Sequence, residues 1–148
     1  MSSQKQATGA GTSLVIAVIM IVLGGFLGGW LVGQVGSLGS IIIWGGGALS
    51  GAIARRKGVF ENPVAGGILA AGCLLAGVNA EIYWLHGNVE QARESWMAAV
   101  SCLPQFVVEY TRDALVMGLF AAFGAWSAYC QVTQPIARRP ESSTDCTT

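Results

Sequence analysis

Charge is scarce in this sequence. Eight basic and eight acidic residues make up 11% of its 148 residues, against about a quarter in ordinary soluble domains. The two signs cancel, so no field is offered to nucleic acid or to an acidic substrate, and no nucleic-acid partner is expected. Histidine occurs once and proline four times. No HExxH, CxxC, phosphate loop or G-x-S-x-G elbow is present. His86, Glu90 and Glu94 are four apart, but Gly87 and the Asn88 that follows place His86 outside any helix starting there. No metal site, cofactor or catalysis is therefore expected. Disorder is excluded as well, because 53% of the residues are hydrophobic and disordered chains are poor in them.

What is abundant is apolar sequence and glycine, 21 residues in all, about twice ordinary usage. Four apolar stretches stand out, at about 14–33, 38–54, 64–85 and 114–132. The first contains no charged residue, and the second stops abruptly at Arg55-Arg56-Lys57. About 20 residues of helix span a hydrocarbon layer of about 30 Å. None of the four alternates with period two, as a barrel strand would. The first is longer than the core of a cleaved signal, about 7–15 residues, and reads as a retained span. The fold class is all-α integral membrane: a four-helix domain over 13–134, with disordered tails at 1–12 and 135–148.

Lys5, Arg55, Arg56, Lys57, Arg138 and Arg139 share the side of the two tails, whereas Arg93 and Arg112 stand on the other with five carboxylates. The excess of basic residues predicts cytoplasmic tails. Trp30, Tyr83, Trp84, Trp96 and Tyr110 fall at the outer boundary, and Trp126 and Tyr129 at the inner one, as interfacial aromatics do. Trp44 lies deeper and is expected inside the bundle. Cys73 and Cys130 fall in spans, Cys102 outside and Cys146 in the inner tail, a spread that makes no disulfide framework.

The glycines recur at helical spacing. Gly25, Gly29 and Gly33 lie four apart in the first stretch, and Gly47 and Gly51 in the second. Small residues let helix backbones approach closely in lipid. Two uses fit: packing within the first hairpin, or a face for self-association. In the fourth stretch Ala114, Gly118, Ala121, Ala125 and Ala128 form a seam of small residues, with Leu115, Leu119, Phe120, Phe123 and Trp126 opposite. Gly66, Ala70, Cys73 and Gly77 make a similar row in the third.

Between the third and fourth spans, Val89, Ala92, Trp96, Ala99, Val100 and Leu103 form an apolar stripe at helical spacing. Asn88, with Gln91 three residues on, resembles an N-cap and its partner. An outer amphipathic helix over about 88–103 is expected, either lying on the membrane or packed on the span ends. Pro104 should open a further helix.

The polar residues at membrane depth are Asn79 and Glu81. Such groups are costly in lipid and mark either helix packing or a solute path. The expectation is a structural or accessory subunit acting through tight helix packing, with the lipid bilayer around it and a protein partner or a second copy on its glycine/alanine faces. The alternative is a small oligomeric channel or transporter using the polar residues of the third helix.

Overall fold

Runs of apolar residues without proline favour uninterrupted helices, because in lipid every backbone N–H and C=O must be satisfied within its own segment. The computed structural model describes residues 2–135. It is all-helical, and no strand occurs among the described residues. Four helices are long and apolar enough to cross a membrane: residues Leu14–Val35 of α1 (Ser2–Val35), α2 (Ile41–Arg56) with the turn before it, α3 (Pro63–Asn88) and α6 (Thr111–Thr133). The short helices α4 (Trp96–Ser101) and α5 (Leu103–Glu109) join α3 to α6. Arg138, Arg139, Cys146 and all of the expected 135–148 tail beyond Pro135 lie outside the described residues.

The amino-terminal segment differs from expectation. Helix α1 starts at Ser2, where residues 1–12 read as an unstructured tail. No proline lies between 2 and 35, and extending a helix already nucleated in the span costs far less than starting one. Its other end is abrupt. Gly36 takes φ +79, a conformation that glycine adopts without strain, and a single 3-10 turn over Ser37–Ser40 leads into α2. A Cβ on Gly39 would stand 2.7 Å from the Val32 backbone nitrogen, so this tight hairpin needs glycine there too.

Helix α2 ends in a Schellman motif. Gly58, at φ +94, donates to Arg55 O at 3.1 Å, and the Val59 N–H donates to Ala54 O at 3.1 Å. Those bonds satisfy carbonyls that a helix end leaves orphaned. Val59 then buries beside Ala54, the apolar contact that usually accompanies the motif. Asn62 caps α3 by accepting from Ala65 N at 3.0 Å, with Pro63 in the first turn, where its missing N–H costs nothing.

The spans form a ring in the order α1, α2, α6, α3, with α2 and α3 touching across one diagonal. The α1–α2 and α3–α6 pairs are antiparallel. The α1–α3 and α2–α6 pairs are parallel: Gly25 meets Ala76 and Gly29 meets Tyr83, while Gly47 meets Gly124 and Gly51 meets Ala128. Two apolar clusters fill the bundle. One, around Trp84, Phe106 and Met117, lies toward the α4–α5 end; the other, around Leu69, Cys73 and Val132, lies toward the α2–α3 turn.

The connection from α3 to α6 departs from a single helix over 88–103. Asn88 remains the last residue of α3, with Nδ2 donating to Trp84 O at 2.8 Å. Ser95 is the cap instead: it is extended, and its Oγ accepts from Ala98 N at 3.1 Å. Between them lies only a 3-10 turn over Glu90–Arg93. Pro104 sits in the first turn of α5. The stripe divides as well, because Ala92 and Ala99 are buried while Trp96 and Val100 are exposed.

Candidate functional site

Midway along the bundle, small residues from all four spans meet at one level. Gly24 faces Gly46, Gly25 faces Ala76, Gly47 faces Gly124, and Gly77 faces Ala121. A Cβ on Gly47 would lie 2.6 Å from Gly124 O, and one on Gly124 would lie 3.0 Å from Ile43 O. Backbone therefore touches backbone. The void bounded by Gly24, Gly25, Gly46, Gly47 and Ala76 does not admit a water molecule, so at this level the single bundle has no aqueous core.

The residues singled out from the sequence distribute unevenly over these contacts. Gly25 and Gly29 turn toward α3, and Gly47 and Gly51 toward α6; the first hairpin itself closes through Gly24, Gly28 and Gly46. Ala121 and Ala125 are buried on α6. Gly33 and Gly118 have nothing within 4 Å of an added Cβ, and they take part in no contact between these helices. The buried residues of α6 are Ala114, Met117, Ala121, Gly124, Ala125, Ala128 and Val132. Stepping four-three from Ala114 through small residues put Gly118 on the seam in place of Met117, which is fully buried, and passed over Gly124, which is buried beside Ala125. An alternating three-four spacing from Ala114 would have reached both. Trp44, expected inside, is 44% exposed; Gly124 meets its Cα and leaves the ring no place within.

Polar side chains at membrane depth mostly serve as ties. Asn79 Nδ2 donates to Gly25 O of α1 at 3.4 Å. Gln131 Nε2 donates to Ala48 O of α2 at 3.0 Å and to Ser127 Oγ at 3.2 Å. Ser50, fully buried, donates to Gly47 O at 2.9 Å. Arg55 reaches across to Gln131 O at 2.9 Å and Pro135 O at 3.3 Å, placing a cation on the final carbonyls of α6, where the helix dipole favours one. Gln131 was not singled out from the sequence, and Arg55 only as part of the basic run that ends the second apolar stretch. Their signal was a glutamine and an arginine ending two apolar runs.

Asn79 and Glu81 are not brought together. Residues two apart on a helix point about 200° from each other. Asn79 is the sole polar side chain lining a lateral cleft of about 480 Å³ between α1 and α3, among Val18, Ile21, Phe26, Ile68 and Leu75. Glu81 is half-buried, does not line that cleft, and has no hydrogen bond or ion pair among the described residues.

At the α4–α5 end, aromatic rings form two groups around α3. Trp84 packs on Phe106 and Tyr110, with centroids 5.0 and 4.9 Å away. On the other side Trp96 stacks on His86 at 4.5 Å and meets Tyr83 edge-on at 4.9 Å. His86 Nδ1 lies 3.0 Å from Ala92 O, and Arg93 donates to Gly87 O at 2.8 Å, which fastens the connection to the end of α3. Among the described residues no three His, Cys, Asp or Glu side chains gather as a metal-binding group. Comparison with known protein families, curated proteins and solved structures found no match. What the fold defines is a class: a multi-pass protein with four candidate membrane-spanning helices.

Proposed function

We propose that the protein is a structural or accessory component of a membrane, acting through helix packing without catalysis or cofactor. The observation that carries this is the closed waist, where glycine backbones touch and leave no room for water. Membrane-depth side chains such as Asn79, Ser50 and Gln131 support it, since they are engaged on carbonyls. Partner helices have somewhere to approach: Gly118 and Ala122, four apart on α6, both face outward, the small-xxx-small pattern that allows close association in lipid. Exposed Met97, Val100, Val107 and Val108 on the α4–α5 connection suit a segment resting on the bilayer's outer surface. The basic excess around Arg55, Arg56 and Lys57 supports cytoplasmic tails; impermeant thiol reagents should then reach Cys102 in intact cells and Cys146 only after permeabilisation.

The test is purification in mild detergent with analysis of what accompanies the protein. A defined partner or a discrete oligomer, weakened by Gly118→Leu, is the expected result. A second function is favoured by one feature, the unpaired Glu81. Purified protein in liposomes should pass no more protons or ions than empty liposomes. Flux that is lost in Glu81→Gln would replace the packing role with that of an oligomeric channel or transporter.

A further inference from the structure

Where α3 ends against α5, the structure holds a cleft of about 300 Å³, separate from the waist and from the lateral cleft. Its floor is apolar, made by Leu85 and the buried ring of Phe106. Its walls are polar: the Gln91 and Gln105 amides, the Glu109 carboxylate and Tyr110. Neither amide nor the carboxylate has a side-chain hydrogen bond or ion pair among the described residues. One acidic group lines the cleft and no basic one does; Arg93 is engaged on Gly87 O, and Arg112 lies outside it.

Leu85 and Val89 flank the last turn of the 26-residue α3, and Glu109 is the last residue of α5. The carbonyls at these two helix ends are already met, Leu85 O by the Val89 N–H, Gly87 O by Arg93, Phe106 O by the Tyr110 N–H and Val107 O and Val108 O by the Thr111 hydroxyl, so the negative charge of the cleft is that of Glu109. The opposing positive end, where α6 starts at Thr111, is met by its own Asp113 in the first turn. Tyr110 adds an aromatic ring, whose face attracts cations.

We propose that this cleft binds an ammonium group, primary or quaternary, with Glu109 as its counter-ion and Tyr110 against its methyl or methylene groups, the amide oxygens of the two glutamines accepting from the N–H groups of a primary ammonium. A free amine and an amine-bearing lipid headgroup share that chemistry. Because the cleft sits at the end of the spans, either can enter.

The full chain in alkyl maltoside micelles, which present no ammonium of their own, should be titrated with ethanolamine, choline and tetramethylammonium, with glycerol as the neutral control. Saturable binding of the ammonium probes is expected, with none of glycerol. Binding should fall at molar salt, where the screening length is about 3 Å. Glu109→Gln should weaken binding of every ammonium probe at least tenfold, and Gln105→Ala should weaken ethanolamine a few-fold while leaving the quaternary probes, which have no N–H, nearly unchanged. Glu109 is exposed and makes no internal bond, so Glu109→Gln should keep wild-type helix content and unfolding midpoint. Competition by phosphatidylethanolamine but not phosphatidylglycerol in nanodiscs assigns the site to a headgroup, and no competition by either assigns it to a free amine. Absence of saturable binding by every ammonium probe, or equal affinity in wild type and Glu109→Gln, overturns the proposal.

Discussion

Gly47→Ala tests the waist most directly. The new methyl carbon would stand 2.6 Å from Gly124 O and 2.8 Å from both Gly124 C and Cα. All three are backbone atoms, so no side chain can swing aside. Restoring the nearest separation to 3.4 Å, where ordinary contact begins, requires α2 and α6 to part by about 0.8 Å. That shift also strains Gln131 Nε2 to Ala48 O and Arg55 to Gln131 O, which bridge the same helices at 3.0 and 2.9 Å. Overpacking costs about 1–3 kcal/mol, and rigid neighbours place this case near the upper end. Alanine returns up to about 1 kcal/mol in helix propensity. The net loss is about 2 kcal/mol, roughly a 30-fold change in the folding equilibrium. Reversible unfolding in mixed micelles, followed against the fraction of denaturing detergent, measures it. Gly45→Ala is the control, because that glycine has nothing within 4 Å and should be neutral or slightly stabilising. If Gly47→Ala matches wild type, or Gly45→Ala is equally damaging, backbone contact between α2 and α6 is not what holds the waist.

Gly118→Leu should leave the unfolding midpoint of the monomer unchanged, whereas Ala121→Leu, facing Gly77, should lower it sharply in the same assay. Asn79→Leu should cost at most about 1–2 kcal/mol, the model-peptide range for hydrogen bonds between membrane helices; a larger loss would mean the amide does more than tie α3 to α1. Ser95→Ala removes the cap of α4 and should cost about 1 kcal/mol, seen as faster hydrogen exchange over 96–101 with the spans unaffected. Arg55→Met should destabilise the α2–α6 end, and Arg55→Lys should rescue only part, since one ammonium cannot reproduce the two-pronged contact with Gln131 O and Pro135 O.

The spans were legible because apolar length is a one-dimensional property. A charge-free run of this size has few places to go other than across a bilayer, and Arg55-Arg56-Lys57 and Pro63 mark their own boundaries. Helix partners are a two-dimensional property, and there size alone misleads. Gly118 and Gly124 are equally small, yet only the second lies in register with Gly47. Met117 is large and still fully buried, in an apolar cluster that also holds the small Ala76 and Ala80 of α3. The cap of the connecting segment was misassigned for a related reason. Asn88 has the right side chain to begin a helix, but α3 continues through Gly87 and consumes it, and the amide turns back to Trp84 O. Ser95, with Ala98 three residues on, lacks the acidic or amide partner that makes a capping box conspicuous.

The parallel pairing of α1 with α3 and of α2 with α6 bears on how the protein is made. The first hairpin emerges with two glycine-lined grooves, Gly25-Gly29 and Gly47-Gly51, both shaped for helices that have not yet been synthesised. At about 5–20 residues per second, α3 is complete 32 residues after Arg56 and α6 77 residues after it, so the Gly25-Gly29 groove is filled only by lipid for about 2–6 s and the Gly47-Gly51 groove for about 4–15 s. During that interval a second hairpin from a neighbouring nascent chain fits them as well as the chain's own. The α2–α3 turn is only six residues long, and opening it would exchange hairpins between two copies with every glycine contact retained. Were hairpins exchanged in this way during crowded synthesis, the product would be an interlocked dimer built from the same contacts as the closed monomer.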